Sequence, residues 1–198
     1  MSMRKGFTLL ETLVAVTILA LAVSGPLYVA NRAYVAVQIS RDQLTASYLA
    51  QEGIEYVRSM RDREFLYEFN KGSATASEDA WTAFVDNTEG VGVNEATMKH
   101  CTGNNKACYL DPSLPMGFGG GRSLTICGGS CNDPLYLTPS GRYVQSSSGN
   151  TQTPFKRSLV GIYDAASPNV MRIESTVTWT NRGTDYSVTV TDNLTPWQ

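Results

Sequence analysis

The sequence is short of the side chains that most enzymes use for acid–base chemistry. It contains a single histidine, His100, beside Cys101 in a polar stretch, and a lone histidine is more often a surface residue than a catalytic base. It also contains no Gly-x-Ser-x-Gly nucleophile elbow, no phosphate-binding loop and no His-Glu-x-x-His zinc helix. We therefore expect a protein that is not an enzyme, with no catalytic residue and no cofactor.

Excess positive charge is missing as well. The 198 residues carry 16 basic and 18 acidic side chains, a net charge of −2. This balance argues against nucleic-acid binding through bulk charge, so no nucleic-acid partner is assigned. With 42% hydrophobic and 17% charged residues, the chain can form one modest globular core in addition to a single anchor helix.

One long apolar run begins almost at the N-terminus. From Phe7 to Ala30 there are 24 residues, of which only Glu11 has a side chain charged at neutral pH. A helix of this length spans about 36 Å, enough to cross a hydrocarbon core. Because Arg4 and Lys5 precede the run, we expect the N-terminus to stay in the cytoplasm and the rest of the chain to lie outside. An ionised carboxylate in lipid costs roughly 2.5 to 3.5 kcal/mol, so Glu11 requires a cation.

A cut after Gly6 would supply that cation, because Phe7 would then carry a new α-amino group. This N-terminus resembles the signal of type IV prepilins and type II secretion pseudopilins over the segment Gly6-Phe7-Thr8-Leu9-Leu10-Glu11. The resemblance covers about the first 30 residues. It implies that a membrane peptidase cuts between Gly6 and Phe7 and N-methylates Phe7, and that Glu11 meets the N-terminus of a neighbouring subunit during assembly.

The resemblance further implies a structural subunit of a type IV pilus, a type II secretion pseudopilus or a competence filament. Its partners would be other pilin or pseudopilin subunits, the prepilin peptidase, an inner-membrane assembly platform and, before assembly, membrane lipid. The chain would move from the cytoplasmic membrane into an extracytoplasmic or cell-surface filament. The kind of filament stays open, whereas the irregular central region and the cysteines favour a minor over a major subunit.

Two other interpretations are kept. A filament-tip adhesin or DNA-uptake module would expose aromatic residues such as Trp81 and Trp197. A membrane-anchored or secreted protein could instead use an ordinary signal peptide cut near Ala20 and Ala22, or no cut at all. Neither form of anchor explains Glu11, and the helical pattern continues past Ala22.

The pattern predicts an α+β fold of the pilin-like kind, a long N-terminal transmembrane helix packed on a small antiparallel β-sheet domain. The helix is expected to continue to about Arg63, with a kink or local melting at Gly25 and Pro26. We divide the chain into a cytoplasmic leader at 1–6, a transmembrane and filament-core segment at 7–30, an amphipathic extracytoplasmic helix at 31–65, and a β-rich domain with a cysteine-containing loop region at 66–198.

Alternating residues in the C-terminal third predict a β-hairpin. Apolar residues such as Ile173, Val177 and Trp179 alternate with polar ones, and the pattern resumes after Asn181-Arg182-Gly183. Further strands are expected at 135–137, 143–145 and 158–163, with a turn at Pro139-Ser140-Gly141 between the first two. The stretch 70–121 reads as loops with a short helix near 78–86.

Four cysteines lie on the side expected to be extracytoplasmic, where thiols commonly oxidise, namely Cys101, Cys108, Cys127 and Cys131. Their even number predicts two disulfides. Three pairings are possible, and we favour Cys101 with Cys108 and Cys127 with Cys131 because each closes a small loop. A zinc site or free thiols remain alternatives, although neither cysteine pair has the two-residue gap of common zinc knuckles.

Calcium is the other metal to consider. Asp111, Asp133 and Asp164 lie in predicted loops, yet they lack the dense ligand spacing of a recognisable calcium loop. We therefore predict no metal site.

Overall fold

The computed structural model describes residues 8–72, 74–85, 98–102, 106–116, 122–127, 131–163 and 167–196. The chain divides into two compact units, Met1–Asp42 and Gln43–Gln198. One helix, α1 at Leu9–Asn70, contributes to both units. The finer division at residues 6, 30 and 65 remains a prediction.

The helix α1 ends at Asn70, beyond the expected end near Arg63. The expected end was too early because Glu64, Phe65 and Glu68 are buried and continue the packed face of the helix. The helix stops before Gly72, whose φ of +73° lies in the left-handed region that glycine adopts readily.

The same helix runs without interruption through Gly25 and Pro26. Local melting at this point is therefore not seen, and a kink remains a prediction.

The described elements after α1 are α2 (Ala76–Val85), a 3₁₀ turn (Lys99–Cys101), β1 (Cys108–Leu110), β2 (Leu124–Ile126), β3 (Tyr136–Leu137), β4 (Tyr143–Val144), β5 (Thr151–Gln152), β6 (Lys156–Tyr163), β7 (Met171–Asn181) and β8 (Thr184–Leu194). These strands form two antiparallel sheets. The larger sheet has the strand order β2-β1-β6-β7-β8, and the smaller has the order β4-β3-β5. The α+β prediction is confirmed, and α2, β3, β4 and β6 lie where a helix or strand was expected. The short strands β1, β2 and β5 were not predicted.

The predicted hairpin is formed by β7 and β8, which pair from Met171 with Leu194 to Asn181 with Thr184. Its two-residue turn contains Arg182 at φ +51° and Gly183 at φ +80°. Positive φ at both positions is the requirement of a type I′ turn, whose twist matches that of the strands it joins.

The helix packs on the larger sheet through its second half. Ile54, Val57 and Met60 of α1 are buried with strand residues such as Leu159 and Ile173. The helix lies close to β7 at Gly53, where an added Cβ would lie 2.5 Å from Oγ of Ser175. The absent side chain at Gly53 therefore allows the helix to lie against the strand.

Candidate processing and assembly site

The helix α1 begins with a hydroxyl cap. The backbone N–H of Glu11 donates to Oγ1 of Thr8 over 3.3 Å, and the N–H of Thr12 donates to the carbonyl of Thr8 over 3.2 Å. Thr8 thus occupies the N-cap position with Glu11 three residues later, which is the capping-box pattern. The acidic side chain of Glu11 in the first turn also interacts favourably with the helix dipole. The sequence analysis missed this cap, although the Thr-x-x-Glu spacing is its signal.

Three other hydroxyl groups of the apolar run donate hydrogen bonds to backbone carbonyls of the same helix. The side chain of Thr12 donates to the carbonyl of Leu9 over 2.9 Å. Thr17 bonds in the same way to Val14 at 2.8 Å, and Ser24 to Leu21 at 3.0 Å. Because lipid offers no hydrogen-bond partner, such internal bonds let hydroxyls lie in a hydrocarbon core. By length and composition, α1 can cross a membrane.

Glu11 differs from these hydroxyl residues. Its side chain is exposed, and among the described residues no donor contacts its carboxylate. The expected cleavage residues Gly6 and Phe7 lie outside the described part of the chain. The described site therefore consists of a capped helix start with one exposed acidic side chain.

The four cysteines form two disulfides, Cys101 with Cys108 and Cys127 with Cys131. The Cα atoms of the two pairs are 5.5 and 5.0 Å apart. Since all four sulfurs are bonded in pairs, none is a free thiolate that could bind zinc.

The loop aspartates have other tasks in the structure. Asp111 is buried, with Oδ1 accepting from Ser113 and Oδ2 accepting from the N–H of Gln145 over 2.9 Å. The backbone of Asp133 donates to the Tyr109 hydroxyl over 3.1 Å, and Asp164 lies outside the described residues. Within the described ranges, no group of three or more His, Cys, Asp or Glu side chains is placed to hold a metal ion.

A fully buried arginine joins the helix to the sheet. Nη1 of Arg157, on β6, donates to the carbonyl of Leu49 over 3.1 Å and to Oε2 of Glu52 over 2.6 Å, while Nη2 donates to the carbonyl of Leu110 over 2.9 Å. Desolvation lowers the pKa of Arg157, and Glu52 and Asp111 oppose that shift. Arg157 thus connects α1, β1 and β6. Sequence reasoning missed this contact because Arg157 lies just outside the expected strand at 158–163 and its partners are far from it in the sequence.

Trp81 is not available as an exposed binding residue. It is 6% exposed on α2, and its Nε1 donates to the carbonyl of Pro168 over 2.7 Å. The adhesin interpretation named Trp81 as exposed, and the burial of the ring corrects it. Trp197 lies outside the described residues.

Comparison with known families gives one result, at the N-terminus. Residues 1–25 match the sequence model of the prokaryotic N-terminal methylation motif. A search of curated proteins and a search of solved structures found no match to the chain. The matched range contains the Thr8 cap, Glu11 and the self-bonded hydroxyls described above. The chain therefore carries the N-terminal signature of type IV prepilins, the signature of a pilin-like substrate of prepilin peptidase.

Proposed function

We propose that this chain is a non-enzymatic minor pilin or pseudopilin, processed between Gly6 and Phe7, N-methylated on Phe7 and then incorporated into a type IV pilus-like filament. Before assembly it is anchored in the cytoplasmic membrane by α1, with its N-terminus inside and its second unit outside. The short strands and the two disulfides between α2 and β6 support a minor rather than a major role.

Glu11 is the observation that carries this proposal. In an apolar run whose described hydroxyls bond within the helix, Glu11 is the group whose charge has no described partner. The α-amino group of a neighbouring processed subunit supplies that partner. In the apolar surroundings of packed helices, the two opposite charges compensate each other. Their pairing also fixes the axial register of one subunit against the next.

Glu11→Ala tests the pairing directly. The cap bond at the start of α1 uses the backbone N–H of residue 11, so alanine retains it. We expect the variant to be made, inserted and cleaved normally, and to be recovered in purified filaments at less than about a tenth of the native amount, since losing a partner for a buried charge costs about 3 kcal/mol or more.

Thr12→Ala is the matched control, because its hydroxyl bonds only to Leu9 within the same helix. It should enter filaments as the native chain does. Normal incorporation of Glu11→Ala, measured by quantitative mass spectrometry of filaments, would refute the pairing.

Gly6→Leu tests the processing step. A branched side chain at the residue before the cut should block entry into the peptidase site, so the variant should keep its leader and stay in the membrane. N-terminal sequencing of the native and variant chains gives the result. A variant chain that still begins at Phe7 would show that the cut is assigned wrongly.

A further inference from the structure

Tyr28 and Arg32 form a side-chain pair one helical turn apart on α1. Nε of Arg32 donates to the hydroxyl of Tyr28 over 3.2 Å, and the guanidinium carbon lies 5.3 Å from the centroid of the tyrosine ring. Both contacts hold the guanidinium against the ring. Nη1 and Nη2 of Arg32 make no contact with an acidic side chain among the described residues.

No carboxylate on the same helix can reach Arg32. Arg32 is the one charged residue between Glu11 and Arg41 in the sequence. The nearest acidic residues along α1 are Glu11 and Asp42. Along a helix these lie about 31 and 15 Å away. A counter-charge for Arg32 must therefore come from outside this helix.

The position of the pair indicates what that counter-charge is. From Leu9, the first residue of α1, to Arg32 the helix rises about 35 Å, which is close to the thickness of a hydrocarbon core. Tyr28 is the first aromatic residue after Phe7, and Tyr34 follows within two helical turns. Both tyrosines are exposed, as expected of aromatic side chains at the headgroup level of a bilayer.

We propose that Arg32, positioned by Tyr28, binds the phosphate of a phospholipid headgroup in the outer leaflet while the chain is stored in the membrane. This rests on the membrane-anchored state proposed above. The two Nη nitrogens match the spacing of phosphate oxygens, and the bond from Nε to Tyr28 limits the rotation of the side chain. The contact sets the depth of the helix in the bilayer and must break when the subunit leaves it.

Solid-state NMR on the full chain tests this contact. The chain is reconstituted into phosphatidylethanolamine and phosphatidylglycerol bilayers with ¹⁵N-labelled arginine, and dephasing of guanidinium signals by lipid ³¹P is recorded. We expect Arg32→Gln to remove one arginine's share of the dephased signal. Arg41→Gln is the control, because Arg41 is the next charged residue along the helix. It should leave the dephased signal unchanged. Tyr28→Phe should keep the contact but slow its dephasing, because the hydroxyl that orients Nε is gone.

Amide exchange of residues 12–27 in the same samples separates the two proposals. If these amides are protected and Arg32→Gln leaves the dephased signal intact, the phosphate contact is refuted and the membrane anchor stands. If the amides exchange freely, the helix is not inserted and both proposals are refuted.

Discussion

Gly53→Ala probes a close approach between α1 and the larger sheet. The added Cβ would lie 2.5 Å from Oγ and 3.3 Å from Cβ of Ser175, and 3.0 Å from Cδ2 of Leu159. At distances this short, either the Ser175 and Leu159 side chains must turn away or the helix and β7 must move apart, and both are costly because Ser175 and Leu159 are fully buried on paired strands.

The expected magnitude follows from two opposing effects. Overpacking a core by one methyl group costs about 1–3 kcal/mol. Replacing glycine by alanine within a helix returns up to about 1 kcal/mol. Because the new methyl group meets two residues, we expect the overpacking to dominate, with a net loss of about 1–2 kcal/mol in the free energy of unfolding.

Denaturant unfolding of the full chain in detergent measures this change, with the fluorescence of the buried residues Trp81 and Trp179 as the signal. Gly25→Ala is the matched control, because an added Cβ there meets nothing within 4 Å, and it should not destabilise the second unit. In the background Ser175→Ala the nearest atom is absent, so Gly53→Ala should cost less by about 1 kcal/mol. A stability of Gly53→Ala equal to the native value, or the same cost in both backgrounds, would refute the close-packing argument.

Further expectations concern the same unit and use the same unfolding assay. Arg157→Ala should lower the free energy of unfolding by about 3 kcal/mol. This is the low end for a broken buried ion pair, because the Glu52 side chain is 44% exposed. A loss under about 1 kcal/mol would contradict the connecting role of Arg157. Burial, followed by the nearby charge of Glu68, raises the pKa of Glu64 above 4.5, so the folded state holds this proton more tightly than the unfolded chain does. Stability should therefore fall as the pH rises from 4.5 through the raised pKa, and Glu64→Gln should flatten that slope; an unchanged slope would exclude Glu64 as its source. Gly183→Ala should cost about 1 kcal/mol, because alanine is strained at a φ of +80°, and a neutral result would argue against the type I′ turn.

The elements that could be predicted from the sequence are those specified by local chemistry. The hairpin β7–β8 follows from strict alternation on both sides of a turn that ends in Gly183, so pattern and turn agree on one register. The apolar run that opens α1 can be recognised from its composition alone. In both cases neighbouring residues carry the whole signal.

The features that were missed depend on residues far apart in the chain. Arg157 is buried because the carbonyls of Leu49 and Leu110 and the carboxylate of Glu52 converge on it, and none of these is near it in sequence. The strands β1 and β2 have three residues each, too few for a periodic pattern. They are defined by pairing with each other, and β1 also pairs with β6. At the candidate site, Glu11 was found from its unusual surroundings.

In the proposed assembly, the hydroxyls of α1 that bond within the helix affect how a subunit leaves the membrane. Thr12, Thr17 and Ser24 take their hydrogen bonds with them, so exchanging lipid neighbours for protein neighbours neither makes nor breaks a polar contact at these positions. Along this stretch, moving the helix from lipid into the filament replaces one apolar surrounding by another, so the free energies of the two states differ little. Such a near balance would let the preference of a single charged group decide whether the subunit is stored or exported.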